Sequence, residues 1–157
     1  MSEGISLRPA QEGDYPGIHA LYLALHRKHL QARPDIYRDA DPLPPDSFLE
    51  ALREENRLFL VAAAGERIAG LCEISLRLPQ SPLLQPVKGA FIEALAVAEE
   101  YRRQGLGARL FSRAKELAGE RGARRLSLNV WSFNEEAIAF YRRMGLCDQR
   151  LSMEGEL

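Results

Sequence analysis

Glu93 stands in an otherwise apolar run, Ile92-Glu93-Ala94-Leu95-Ala96-Val97, and a charged turn then leads into Arg102-Arg103-Gln104-Gly105-Leu106-Gly107. A carboxylate set in a buried strand is a candidate proton acceptor, because desolvation favours its neutral form. The Arg/Gly turn offers a different chemistry. Small residues let successive backbone N–H groups converge, and where such a turn opens a helix the positive end of the macrodipole adds to them. Strand, turn and helix N-terminus in that order can cradle an anion.

These pieces need elements to position them. Residues 5–8 alternate as a short strand stopped by Pro9, and Asp14 is placed to cap a helix running to about Leu30. Ile18, Leu21, Tyr22 and Leu25 recur at helical spacing and define its buried stripe. Residues 31–45 carry four prolines and read as a long irregular loop, a candidate for function. Ser47 and Glu50 resemble a capping box for a helix through about Glu55. Residues 58–64 and 67–78 read as an antiparallel hairpin about Gly65-Glu66, and a second Pro-rich loop at 79–86 precedes a strand from about Lys88 to Val97. A helix follows over 105–121 with Gly122 at its end, then a strand at 126–130, then a helix capped by Asn134 and closed by Gly145. The tail from Leu146 is expected to add one or two strands. The pattern is a single mixed α/β domain over 1–157, with a mostly antiparallel central sheet of 6–7 strands and about four helices.

Bulk properties narrow the function. With 46% hydrophobic and 27% charged residues the chain suits a folded domain, and a net charge of −1 argues against a nucleic-acid binder. Acidic Glu99, Glu100 and Glu116 also disfavour a DNA-binding role for the Arg-rich helix. No apolar run approaches the ~20 residues of a membrane span. Cys72 and Cys147 lack metal-ligand spacing, and His19, His26 and His29 have no carboxylate or cysteine cluster beside them, so no metal is expected. The opening MSEGISLRPA lacks a secretory pattern, and a cytoplasmic setting is the expectation.

Three motifs in order carry a family resemblance. Glu93 to Val97 runs into Tyr101-Arg102-Arg103-Gln104-Gly105-Leu106-Gly107, Leu126-Ser127-Leu128-Asn129-Val130 follows, and Asn134, Ala137, Phe140-Tyr141 and Gly145 close the set. Together they resemble the GCN5-related N-acetyltransferase (GNAT) family, with its R/Q-x-x-G-x-G/A turn and its N-x-x-A-x-x-F-Y-x-x-x-G ending. A P-loop would need a lysine after the second glycine, and a dinucleotide fingerprint would need a third glycine where Leu110 stands.

The resemblance implies direct transfer of an acetyl group from acetyl-CoA to a primary amine, with no acyl-enzyme. Backbone N–H groups from Arg103 through Gln104, Gly105, Leu106 and Gly107 would grip the diphosphate, with Arg102 and Arg103 side chains beside it. The pantetheine would pair with the strand end at Leu95, Ala96 and Val97, where two strands splay, and Asn134 would border the cofactor. A lysine-type amine of pKa ~10.4 costs about 4–5 kcal/mol to deprotonate at neutral pH, an α-amine near ~8 about 1. Glu93 is the candidate base, or else a salt-bridged residue that binds substrate charge. Tyr141 matches the tyrosine that donates to the departing sulfur. Tyr22, His26 and Tyr37 are the expected acceptor-pocket residues, and Trp131 and Phe133 line the core, the cofactor edge or a dimer contact. The acceptor is a small-molecule or peptide amine, and the resemblance admits a homodimer. The alternative is a non-catalytic acyl-CoA-binding or regulatory module.

Overall fold

The computed structural model describes residues 4–157. One open sheet runs in sequence order, β1 (Ile5–Pro9), β2 (Arg57–Ala64), β3 (Arg67–Arg77), β4 (Gly89–Val97) and β5 (Arg125–Ser127). The first four strands are antiparallel neighbours and β5 joins β4 in parallel. Helices α1 (Tyr15–Ala32) and α2 (Pro45–Arg53) cover one face; α3 (Leu106–Glu120) and α4 (Glu135–Arg143) cover the other.

The alternation along β3 explains the two layers. Cys72, Ile74 and Leu76 pack with Leu106, Leu110, Phe111 and Ala114 of α3, while Leu71 joins Ile18, Leu21 and Phe48 of α1 and α2. Ile18, Phe48, Leu71, Leu110 and Phe111 are buried, each contributing roughly 1.5–3 kcal/mol by leaving water. Gly70 is where α3 comes closest: a Cβ there would meet Leu110 Cδ1 at 2.8 Å and the Ala96 carbonyl at 3.0 Å.

Several boundaries differ from expectation for local reasons. Helix α2 begins at Pro45, whose fixed φ and missing N–H suit a first helical position, so Ser47 lies inside the helix and makes no cap bond. Asp14 precedes α1, but its carboxylate accepts from Arg8 at 2.7 and 2.9 Å and from the Gln11 amide. The sheet has five strands among the described residues, not six or seven. Residues 128–130 diverge after β5, and the tail carries no strand. Leu151 and Met153 stand 81% and 85% exposed, so no apolar face drives the tail into the sheet. Two ionic anchors hold it instead: Arg142 on both oxygens of Asp148 at 3.1 Å, and Arg33 on both oxygens of Glu154 at 2.7 and 3.0 Å.

Candidate functional site

The turn between β4 and α3 is an open row of backbone donors. Arg103 and Gly105 both adopt left-handed conformations, φ 62° and 73°, which tilts the intervening amides toward one side. Among the described residues, no N–H of residues 103–108 finds a protein acceptor, and the first turn of α3 carries neither a side-chain cap nor an acidic residue. This is the donor arrangement an anion needs. Arg102 donates from Nε to the Val97 carbonyl at 3.3 Å, tying the turn to the strand end, while Arg103 reaches into solvent. Packing does not demand Gly107: a Cβ there would make ordinary contact with the Phe140 ring at 3.5 Å.

Beside that turn the sheet opens. β5 pairs with β4 only at Gly89, Ala90 and Phe91, so from Ile92 to Val97 that edge of β4 has no strand neighbour. Leu95, Ala96 and Val97 lie along this free edge. Tyr141 of α4 packs on the α3 side, against Phe111 and Phe140. Burial, with the nearby Cys72, pushes its phenol up to about 12, so it stays protonated at neutral pH.

On the opposite face a bulge in β4 decides which side chains meet. Glu73 pairs with Ala94 and Ile74 with Ile92, leaving Glu93 as the extra residue. The bulge turns Glu93 toward the side occupied by Ser75 and Arg77. It accepts from Ser75 Oγ at 2.5 Å and from Arg77 Nη2. Arg77 in turn lies over the Phe91 ring, 4.2 Å from its centroid. Glu93 is therefore partly exposed and salt-bridged, and the desolvated carboxyl is a neighbour.

That neighbour is Glu73, 3% exposed, which sequence reasoning passed over. Burial and the Glu93 charge push it up to about 8. Arg57 Nη1 lies 3.3 Å from its Oε1 but also approaches Glu54 at 3.6 Å, so its opposing pull is divided. The signal existed: Leu71-Cys72-Glu73-Ile74 embeds a carboxylate in an apolar run as Glu93's strand does.

The three expected acceptor residues part company. Tyr22 keeps a buried hydroxyl with no hydrogen-bond partner among the described residues, an orphan that costs about 1–3 kcal/mol. His26 bonds the Arg38 carbonyl at 2.8 Å, and Tyr37 accepts from Trp131 Nε1 at 2.8 Å while stacking on His29. Both are committed to holding the α1–α2 loop, as is His19 on Asp41. Trp131 stacks on Phe133, and Arg33 lies 5.2 Å from the Trp131 ring. Asn134 caps α4 by accepting from the Ala137 amide at 3.2 Å and also accepts from Lys28 Nζ.

With this geometry in view, the comparisons with known proteins converge. The family model for the acetyltransferase (GNAT) family matches residues 15–146. The chain belongs to the GNAT family. A point mutant of the BH1408 protein from Bacillus halodurans superposes with a TM-score of 0.91 at 31% identity, covering 97% of this chain and 99% of that one. A candidate ribosomal protein bS18-alanine N-acetyltransferase of Bacillus subtilis is 36% identical over 106 residues, 67% of this chain and 64% of its own length. The streptothricin acetyltransferase of Streptomyces lavendulae is 35% identical over 91 residues, 58% and 44% of the two chains. In these two curated relatives the match thus spans less than two thirds of their length. Among the described residues no helix is long and apolar enough to cross a membrane.

Proposed function

We propose that this GNAT protein is an acetyl-CoA-dependent N-acetyltransferase whose acceptor is a primary amine. The observation that carries the reading is the unpaired amide row at residues 103–108 opening beside the free edge of β4. Enzymes of the family use acetyl-CoA, and both features fit it: the amides suit a diphosphate, the free edge an amide-bearing arm. Gly105, Leu106 and Gly107 contribute main-chain donors, with Arg103 and Gln104 completing the turn. Leu95, Ala96 and Val97 offer edge groups to the pantetheine, and Asn134 fixes the helix that borders it. Bound acetyl-CoA supplies a thioester carbonyl to the attacking amine.

The chain's own residues handle the protons. Glu93, reached from the α1–α2 face and connected to Ser75 and Arg77, receives the proton the amine must lose. Glu73 is a second, buried carboxyl that the Glu93 charge helps to keep protonated. Tyr141 presents a phenol held near 12, about 3.5 units above an ordinary thiol near ~8.5, so it stabilises the leaving sulfur by hydrogen bonding rather than by full transfer. The Tyr22 hydroxyl, buried and without a partner among the described residues, is the polar group on α1 that an acceptor amine reaching this side would use; His26 and Tyr37 hold the α1–α2 loop. The non-catalytic module is not favoured, since the family and the relatives are acetyltransferases.

A thiol-release assay with acetyl-CoA over a panel of primary amines, paired with calorimetry, tests the reading. Turnover on at least one amine class supports it. Tight acetyl-CoA binding with no thiol release on any amine overturns it.

A further inference from the structure

A polar cavity lies where β3, the β4–β5 pairing and the tail meet, with Arg77 linking it to Glu93. Its volume is about 240 Å³, and its walls are Arg77 and Phe91 from β3 and β4, Ser127 and Asn129 after the β4–β5 pairing, and Gln149 and Arg150 from the tail. Two guanidinium groups, two carboxamides and a hydroxyl line it, and no carboxylate does. Charge of one sign converging on a polar hollow is the lining an anion requires. By contrast, the larger depression near Lys88 mixes Glu54 and Glu55 with Arg57 and Arg121.

Of the two guanidinium groups, one is held in place and the other keeps open donors. Arg77 uses its Nε on Ser75 Oγ at 3.0 Å and Nη2 on Glu93, and its plane rests on Phe91, which leaves Nη1 to donate elsewhere. Arg150 makes no ion pair or side-chain hydrogen bond among the described residues, although the tail around it is fixed at Asp148 and Glu154. A planar fork with open donors matches a carboxylate in bidentate fashion.

We propose that this cavity binds a carboxylate of the acceptor, making the substrate a small amino acid or short peptide that carries its amine and its anion on one molecule. This rests on the acetyltransferase reading. Arg77 touches both Glu93 and the cavity, and Phe91 lies two residues from Glu93 along the strand, about 7 Å. The reacting nitrogen and the carboxylate are therefore separated by several bonds, as in a lysine ε-amine or a dipeptide, rather than by the single carbon of an α-amino acid.

Matched acceptors test this: lysine against lysinamide and cadaverine, and alanyl-alanine against its amide, each assayed by thiol release. The wild-type protein should favour the carboxylates by about ten- to a hundredfold in kcat/KM, the range for a charge-assisted contact. In Arg150→Gln that preference should fall toward unity, and in Arg150→Lys it should be partly restored. O-phospho analogues of the same amines separate a phosphate site from a carboxylate site, and stronger use of the phosphate overturns the carboxylate assignment. Equal use of acids and amides by the wild-type protein, or an undiminished preference in Arg150→Gln, overturns the cavity's role while leaving acetyl transfer intact. Thiol release on no amine at all fails the acetyltransferase reading itself, and this inference with it.

Discussion

The two faces of the free β4 edge are built by different means. On the α3 side the site is made of backbone: consecutive amides at residues 103–108, two left-handed residues and a helix end, all contiguous in sequence. On the α1–α2 side it is made of side chains from separate strands: buried Glu73, then Ser75 and Arg77, with Glu93 brought beside them by a bulge, and Arg77 leading on to the cavity lined by Arg150 of the tail. A backbone site tolerates varied side chains but not a changed main-chain path. A side-chain site is the reverse. The first suits a ligand shared across a family, the second a ligand that differs among members.

The largest expected effect comes from the main-chain path. Gly105→Val forces a β-branched residue into φ 73° and should weaken acetyl-CoA binding by two to three orders of magnitude in calorimetry. An unaltered affinity would break the claim that backbone conformation makes this half. On the other face, Glu93→Gln should lower kcat about a hundredfold while sparing acetyl-CoA affinity; retained activity with an unchanged pH profile would reduce Glu93 to a charge-binding role. Tyr141→Phe falls between the halves. It should cost about tenfold in kcat with little change in affinity, and the reverse split would make it a packing residue.

Glu73 sharpens the comparison through pH. Its folded value near 8 lies above the unfolded one near ~4.3, so the folded state holds a proton that the unfolded state has lost between those values. Stability linked to this group is fully present below ~4.3 and is lost as pH rises through about 8, by an amount on the order of a few kcal/mol. Glu73→Gln keeps the neutral form at every pH, so its Tm should overtake the wild type by several degrees between pH 6 and 9. A constant Tm difference across that window would show that Glu73 is ionised in the fold. The smallest effect is expected at Tyr22. Tyr22→Phe removes an orphan hydroxyl and should gain roughly 1 kcal/mol in denaturant unfolding while raising acceptor KM a few-fold. A gain in stability with no change in KM would detach Tyr22 from the acceptor.

Legibility follows the same division. The Arg/Gly turn and the Asn134 cap are legible in local sequence because their geometry is set within one or two helical turns; Tyr141, which packs on distant Phe111, is legible only through the family motif. Glu73 was as visible as Glu93 in composition, yet nothing local says that a bulge sets the two on one face. His26 and Tyr37, expected in the acceptor pocket, bond Arg38 and Trp131, contacts that join the loop to other segments. The tail from Leu146, expected to add one or two strands, carries none. Without a second apolar row to pack against, ion pairs to Arg33 and Arg142 position it instead.

The sequence by itself determined the element order, the family and the turn of open amides at the start of α3, because hydrophobic period, glycine conformation and helix ends act over a few residues. Only the tertiary structure decided which carboxyl is buried, which hydroxyl is left without a partner and where two arginines converge. Desolvation and charge pairing depend on what the fold brings within a few ångströms, and chain distance does not encode that.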